Sequence, residues 1–178
     1  MNFEQLFTGF QSIRVAIIGD VMLDTYWWGS VDRISPEAPV PVVALKKKEL
    51  RVGGAANVAL NTASLGAQTT MISIIGADAD GEQLVQLLKE KNIDTSYIKA
   101  AANRVTTNKT RVMSRNQQMM RLDAEITTDI DQATEDLLIQ QVKDCIEKQN
   151  PQILIFEDYN KGVLTEEVIA ALIDPLSR

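Results

Sequence analysis

Histidine is absent from this sequence of 178 residues. That absence removes Ser–His–Asp catalysis, histidine-ligated metals and every motif built on a histidine pair. General acid–base chemistry would fall to carboxylates, lysine, tyrosine or the single cysteine, Cys145. One thiol forms no internal disulfide, and a lone cysteine suits a reducing, cytoplasmic setting. Long apolar runs are lacking as well: nothing approaches the roughly 18 consecutive apolar residues of a membrane-spanning helix. The opening stretch, MNFEQLFTGFQSIR, has no basic segment followed by an apolar one, so no signal peptide is expected. Positive charge is not in excess either. The formal net charge of −6 argues against nucleic acid as a partner.

What is present is an ordinary globular composition, 45% hydrophobic and 24% charged, enough for one domain with a core. Charge is unevenly placed. Lys99, Arg104, Lys109, Arg111, Arg115 and Arg121 form a window with no acidic residue, while the remainder has 12 basic against 24 acidic residues. A basic window in an acidic chain suggests attraction for a small anion; a solvated hairpin accounts for it equally simply.

Three short runs rich in β-branched residues read as buried strands: Arg14 to Ile18, Thr70 to Ile75 and Gln152 to Phe156. Helical patterns over Asn57–Leu65, Gly81–Lys91, Ala133–Lys148 and Glu166–Ile173 separate or follow them. This rhythm predicts an α/β fold, a parallel Rossmann-type sheet with helices on both faces. Each strand ends in a small or acidic cluster: Gly19-Asp20, Gly76-Ala77-Asp78 and Glu157-Asp158. Ligands of open α/β sheets bind outside such carboxyl ends, so these three form a candidate rim.

Two segments break the rhythm. Residues 24–46 carry Tyr26, Trp27, Trp28, the prolines 36, 39 and 41 and the run PVPVVAL. Residues 105–123 alternate as a hairpin turning near Asn116-Gln117, with Lys109, Arg111, Met113 and Arg115 on one face of its first strand. Together they read as a small β-sheet set apart from the core.

The stretch RVGGAANVALNTASLG, Arg51 to Gly66, starts a helix of small residues with two glycines. Gly53 and Gly54 permit close backbone approach to a ligand, and Asn57 in the first turn offers both a donor and an acceptor, as a sugar hydroxyl requires. A small-faced helix packed tightly on the sheet explains the same residues.

The pattern, GG-x-x-N-x-A with a following A-x-L-G, resembles the first signature of the ribokinase family of carbohydrate kinases. Gly19-Asp20 and Gly76-x-Asp78-x-x-Gly81 resemble further landmarks in the family's order. Four stretches resemble the branch that phosphorylates heptose 7-phosphates in ADP-heptose (lipopolysaccharide core) synthesis: GDVMLDTYWWGSVDRISPEAPVPVV, TTNKTRV, MMRLD and EDYNKGVL. The sequence departs from that branch at Glu157 and Asn160, where the resemblance implies a small residue and a glycine.

The resemblance implies a ribokinase-like fold in which residues 1–178 are the N-terminal part of one kinase domain, with a β lid from about 24–46 and 105–123. It implies sugar binding by Asp20, Asp24, Gly53, Gly54 and Asn57, with Lys109, Arg115 and Arg121 neutralising a sugar phosphate and Asp158 and Lys161 completing the rim. It implies ATP and Mg²⁺ as cofactors, and a homodimer through the lid using Tyr26–Trp28 and Val40–Leu45. A GAGD-like turn carrying the aspartate base, an N-x-x-E element and a Walker A loop do not occur in the sequence. The base is therefore expected beyond Arg178, with no metal ligand assigned here and little activity from this chain alone. A non-catalytic sugar-phosphate-binding module is the alternative. A dinucleotide-binding domain is disfavoured, because Gly-Asp follows the first strand instead of G-x-G-x-x-G.

Overall fold

Along Arg14–Gly19 (β1), successive side chains are buried on opposite sides: Val15 and Ile17 in one apolar cluster, Ala16 and Ile18 in another. Gln68–Gly76 (β4) repeats the alternation, with Met71 and Ile75 against Ile72 and Ile74. A strand with apolar residues on both faces must be covered on both faces. The computed structural model, which describes residues 2–176, shows how that is met. Of the region 1–178, Met1 and 177–178 lie outside the described residues.

β1 and β4 are the middle of a parallel four-stranded sheet in the order β5-β4-β1-β8, where β5 is Asp94–Ala101 and β8 is Ile153–Glu157. Helices α2 (Ala55–Ser64) and α3 (Ala79–Glu90) supply Ala59, Leu84 and Leu88 to one cluster. Helices α4 (Gln132–Gln149) and α5 (Glu166–Leu176) supply Leu138, Val142, Val168 and Leu172 to the other. Each fully buried Leu or Val removes apolar surface worth about 1.5–3 kcal/mol. The predicted strands and helices are all present within a few residues of their expected ends.

Two elements were not anticipated. β5 is an edge strand in which only Tyr97 is buried, so its sequence lacks an apolar run. The N-terminal helix α1 (Phe3–Phe10) begins with a capping box between Asn2 and Gln5, a signal that was readable in the sequence.

The second sheet has the order β3-β2-β6-β7, formed by Val21–Ile34 (β2), Pro41–Gly54 (β3), Asn108–Ser114 (β6) and Gln117–Ala124 (β7). β2 pairs antiparallel with β3 and parallel with β6, and β6–β7 is an antiparallel hairpin. Only Asp20 separates β1 from β2, so the chain leaves one sheet and enters the other within a single residue. It returns equally abruptly at Gly54-Ala55, where β3 ends and α2 begins.

Candidate functional site

These two crossings lie side by side: Ala55 N donates to the Asp20 carbonyl at 2.9 Å. Gly54 takes φ +57°, and a Cβ there would run into the same Asp20 carbonyl oxygen. Glycine is required on both counts. Gly53 faces the Asp24 carboxylate, since a Cβ added to it would sit 2.5 Å from Asp24 Oδ2.

Asp24 and its strand neighbours form a charged face on the second sheet. Asp24 stands level with Arg51 of β3 and Lys109 of β6, and Tyr26 with Arg111. Arg111 Nη1 donates to Asp24 Oδ1 at 2.5 Å, and this carboxylate raises the guanidinium's already high pKa. Arg111 also lies over the Tyr26 ring, 5.3 Å from its centre, with Arg51 at 4.6 Å and Trp28 stacked alongside at 6.0 Å. Such stacking fixes the direction of otherwise flexible guanidinium groups.

Lys109 reaches Asp123 at 3.2 Å and Glu125 at 3.0 Å. Lys161, on the loop after β8, reaches the other oxygen of Glu125 at 3.2 Å. Burial alone would lower the Lys109 pKa, but the two carboxylates outweigh it and raise it. Lys109 depresses the Glu125 carboxyl through a hydrogen bond, and Lys161 adds to the effect. One carboxylate thus ties the second sheet to the carboxyl end of the first.

The loop bearing Asp158 and Lys161 is held from below by Asp20. Asp20 Oδ2 accepts from Tyr159 N at 2.9 Å and Lys161 N at 3.2 Å, and Oδ1 accepts from Val163 N at 3.2 Å. Its side chain is 1% exposed, and burial raises its pKa despite these N–H donors. Arg104 completes the clamp, donating to the carbonyls of Thr128 and Lys161. Asp158 is exposed and accepts from Asn160 N at 2.7 Å, a local turn bond. Asn160 itself has φ +55°, which explains the departure from glycine noted above: asparagine is the residue that best tolerates the left-handed region after glycine. The third strand end serves a helix. Asp78 caps α3 through Gly81 N at 2.8 Å and accepts Thr106 N at 2.8 Å, so its carboxylate joins α3 to the segment leading into β6.

The structure therefore brings Asp24, Gly53, Lys109 and Lys161 together, with Asp20 beneath them. Asn57 is placed elsewhere, lining a cavity of about 300 Å³ with Leu50, Leu60, Leu87 and Lys91. Arg115 leaves the charged face because it occupies the β6–β7 turn at φ +48°, where its side chain is 80% exposed and 3.6 Å from Asp32. Arg121 lies on β7 opposite Arg111 and pairs with Asp123 at 2.8 Å. The absence of counter-charge read from the 99–121 window is corrected. Asp24, Asp32, Asp123 and Glu125 serve its cations from outside the window, and Lys99 and Arg104 donate to carbonyls. Glu125, Arg111 and Arg104 were not singled out as site residues. The motif MMRLD ends two residues short of Glu125, and nothing in the local sequence marks a residue whose partners are so distant.

Residues 12–173 match the pfkB family of carbohydrate kinases. The chain is 46% identical over 167 residues to the bifunctional protein HldE of Magnetococcus marinus, covering 93% of this chain and 34% of that one. It is 44% identical over 164 residues to the D-beta-D-heptose 7-phosphate kinase of Bordetella bronchiseptica, covering 90% of this chain and 50% of that one. Its fold is similar to phosphofructokinase-2 from Escherichia coli in the tetrameric inhibited form, with a TM-score of 0.65 at 23% identity over 93% of this chain and 51% of the other. The chain thus spans between about a third and a half of the length of these proteins.

Proposed function

This chain belongs to the pfkB family of carbohydrate kinases, and we propose that it is the sugar-binding half of an ATP-dependent kinase acting on the anomeric hydroxyl of a heptose 7-phosphate in ADP-heptose synthesis. The observation that carries this reading is the meeting of Asp24 and Gly53 with Lys109 and Lys161 where the two sheets join. A carboxylate that accepts sugar O–H groups beside ammonium groups that neutralise a phosphate is the chemistry a phosphorylated sugar needs. The name of the Bordetella relative supports the same substrate class.

The roles divide by position. Asp24, oriented by Arg111, accepts from sugar hydroxyls, and Gly53 keeps the space beside it open to backbone approach. Lys109, Lys161 and Arg121 provide positive charge for the sugar phosphate, with Arg115 farther out at the tip. Gly54 and Asp20 shape the junction, Asn57 lines the separate cavity beside α2, and Asp158 flanks the loop. In this reading residues 1–178 are part of one domain whose second sheet is the lid.

Phosphoryl transfer also needs metal-neutralised phosphates and a base near the nucleophile. Among the described residues no group of three or more His, Cys, Asp or Glu could hold a metal ion. Following the family resemblance, this reading places ATP, Mg²⁺ and the aspartate base in the length of the relatives that this chain does not span.

The lid's apolar surface, including Ile34, Val40, Leu45, Met120 and Leu122, is exposed and supports a homodimer through this sheet. A monomer in sedimentation at high concentration would argue against it. Among the described residues no helix is long and apolar enough to cross a membrane, and a cytoplasmic setting is part of the proposal. Calorimetric titration tests the substrate: heptose 7-phosphate should bind at least about tenfold more tightly than unphosphorylated heptose, two half-buried charge-assisted contacts being worth that much. Equal binding would sink the sugar-phosphate assignment.

A further inference from the structure

Glu125 lies just beyond β7 and makes its contacts with two lysines from different parts of the chain. Its Oε2 accepts from Lys109 Nζ and its Oε1 from Lys161 Nζ. The three side chains are 23%, 17% and 16% exposed, so the contacts are shielded from solvent on most sides. The two ammonium groups are held independently. Lys109 sits in the β2–β6–β7 ladder and keeps Asp123 as a second anion. Lys161 has its N–H fixed by Asp20 and its carbonyl fixed by Arg104. Neither lysine depends on Glu125 for its backbone position.

Two cations converging from separate supports on the two oxygens of one carboxylate form a fork for an oxyanion. A phosphate monoester presents paired oxygens in similar geometry and carries more charge than a carboxylate. We propose that Glu125 is a resident competitor for the substrate's phosphate: it occupies the Lys109–Lys161 fork, and a phosphorylated sugar binds by displacing it. Glu125 then moderates the site's preference for phosphorylated over unphosphorylated sugars, because only the phosphate has to displace it. A dianion displaces it readily, whereas a neutral sugar or a monoanionic acid gains nothing by doing so. This inference rests on the sugar-phosphate reading and adds a specificity-determining residue to it. Glu125 acts here as a positioning residue and touches no reacting atom.

Calorimetric titration of the chain with inorganic phosphate, heptose 7-phosphate and unphosphorylated heptose tests it. Glu125→Gln removes the competing charge, so affinity for both phosphate-bearing ligands rises about three- to tenfold while affinity for plain heptose is unchanged. Glu125→Asp keeps the charge but cannot span both ammonium groups. It raises affinity in the same direction, and it serves if the glutamine variant fails to fold. Weaker or unchanged phosphate binding in the variants would overturn the proposal and leave Glu125 as a structural brace. The outcomes separate the two readings. A wild-type chain that does not distinguish heptose 7-phosphate from heptose defeats the substrate assignment. A gain in inorganic phosphate affinity on substitution would still establish the fork.

Discussion

The backbone N–H of Lys161 donates to the carboxylate of Asp20 at 3.2 Å, linking the end of the first strand to a loop that follows the last. Two further N–H groups, of Tyr159 and Val163, share that carboxylate. Asp20→Ala leaves all three without this acceptor in a buried place, and is expected to cost about 2–4 kcal/mol in urea unfolding. Asp20→Asn retains an acceptor and should cost about half as much.

Acid titration should show opposing contributions. Burial pushes the Asp20 carboxyl above its ordinary 3.8, so the folded chain takes up this proton more readily than the unfolded one. Its contribution to stability therefore falls as pH rises through the window above 3.8. Asp123 and Glu125 act the other way. Burial alone would raise Asp123, but Lys109 and Arg121 hold it below 3.8; Lys109 and Lys161 hold Glu125 below 4.5. Their contribution is present above those values and is lost as pH falls through the lowered ones. Unfolding measured between pH 7 and pH 3.5 should accordingly lose stability more steeply in Asp20→Asn than in the wild type, and less steeply in Glu125→Gln.

The two glycines before α2 should respond differently to alanine. Gly54→Ala places a Cβ against the Asp20 carbonyl at a positive φ, and is expected to cost about 2–4 kcal/mol. Gly53→Ala displaces a side chain, the Asp24 carboxylate, which can yield. Its larger effect should be on heptose 7-phosphate affinity, a loss of about tenfold or more, with a fold cost nearer 1 kcal/mol. Denaturation and titration on the same preparations separate the two.

Asn160 offers a conformational test. Its φ of +55° is open to glycine and tolerated by asparagine, so Asn160→Gly should alter stability by less than about 0.5 kcal/mol. Asn160→Ala should cost about 1–2 kcal/mol. Equal effects of the two would show that the loop relaxes around this position.

The layers were legible because periodicity is a local signal: the residues of β1 and β4 alternate between two cores, and α3 and α4 carry their apolar stripes and caps in sequence. The edge strand β5 was not, since one buried residue, Tyr97, leaves no pattern. The helix start after Gly53-Gly54 was legible, but its meeting with Asp20 was not, because that partner lies in a distant part of the sequence. The electrostatics were not, because parallel pairing of β2 with β6 sets Asp24 beside Lys109 and Arg111. Counting charge within a window assigns a cation the neighbours it has along the chain, whereas its counter-ions here arrive across strands. Arg115 was misplaced for a related reason: alternation predicts a face only until the chain turns, and it turns there.

The paired crossings at Asp20 and Gly54 have a mechanical consequence. They are bonded to one another and lie at the same end of β2 and β3, so a tilt of these two strands would turn about an axis through them. Asp24 is four residues from that axis, about 13 Å along the strand; Ser114, level with Gly29, is nine residues away, about 30 Å. The same rotation moves the tip more than twice as far as the carboxylate. Under such a tilt Asp24 would move little and the outer turn, with Arg115, the most. Glu125 is fastened to Lys161 on the stationary side, so it acts as a stay on that lever.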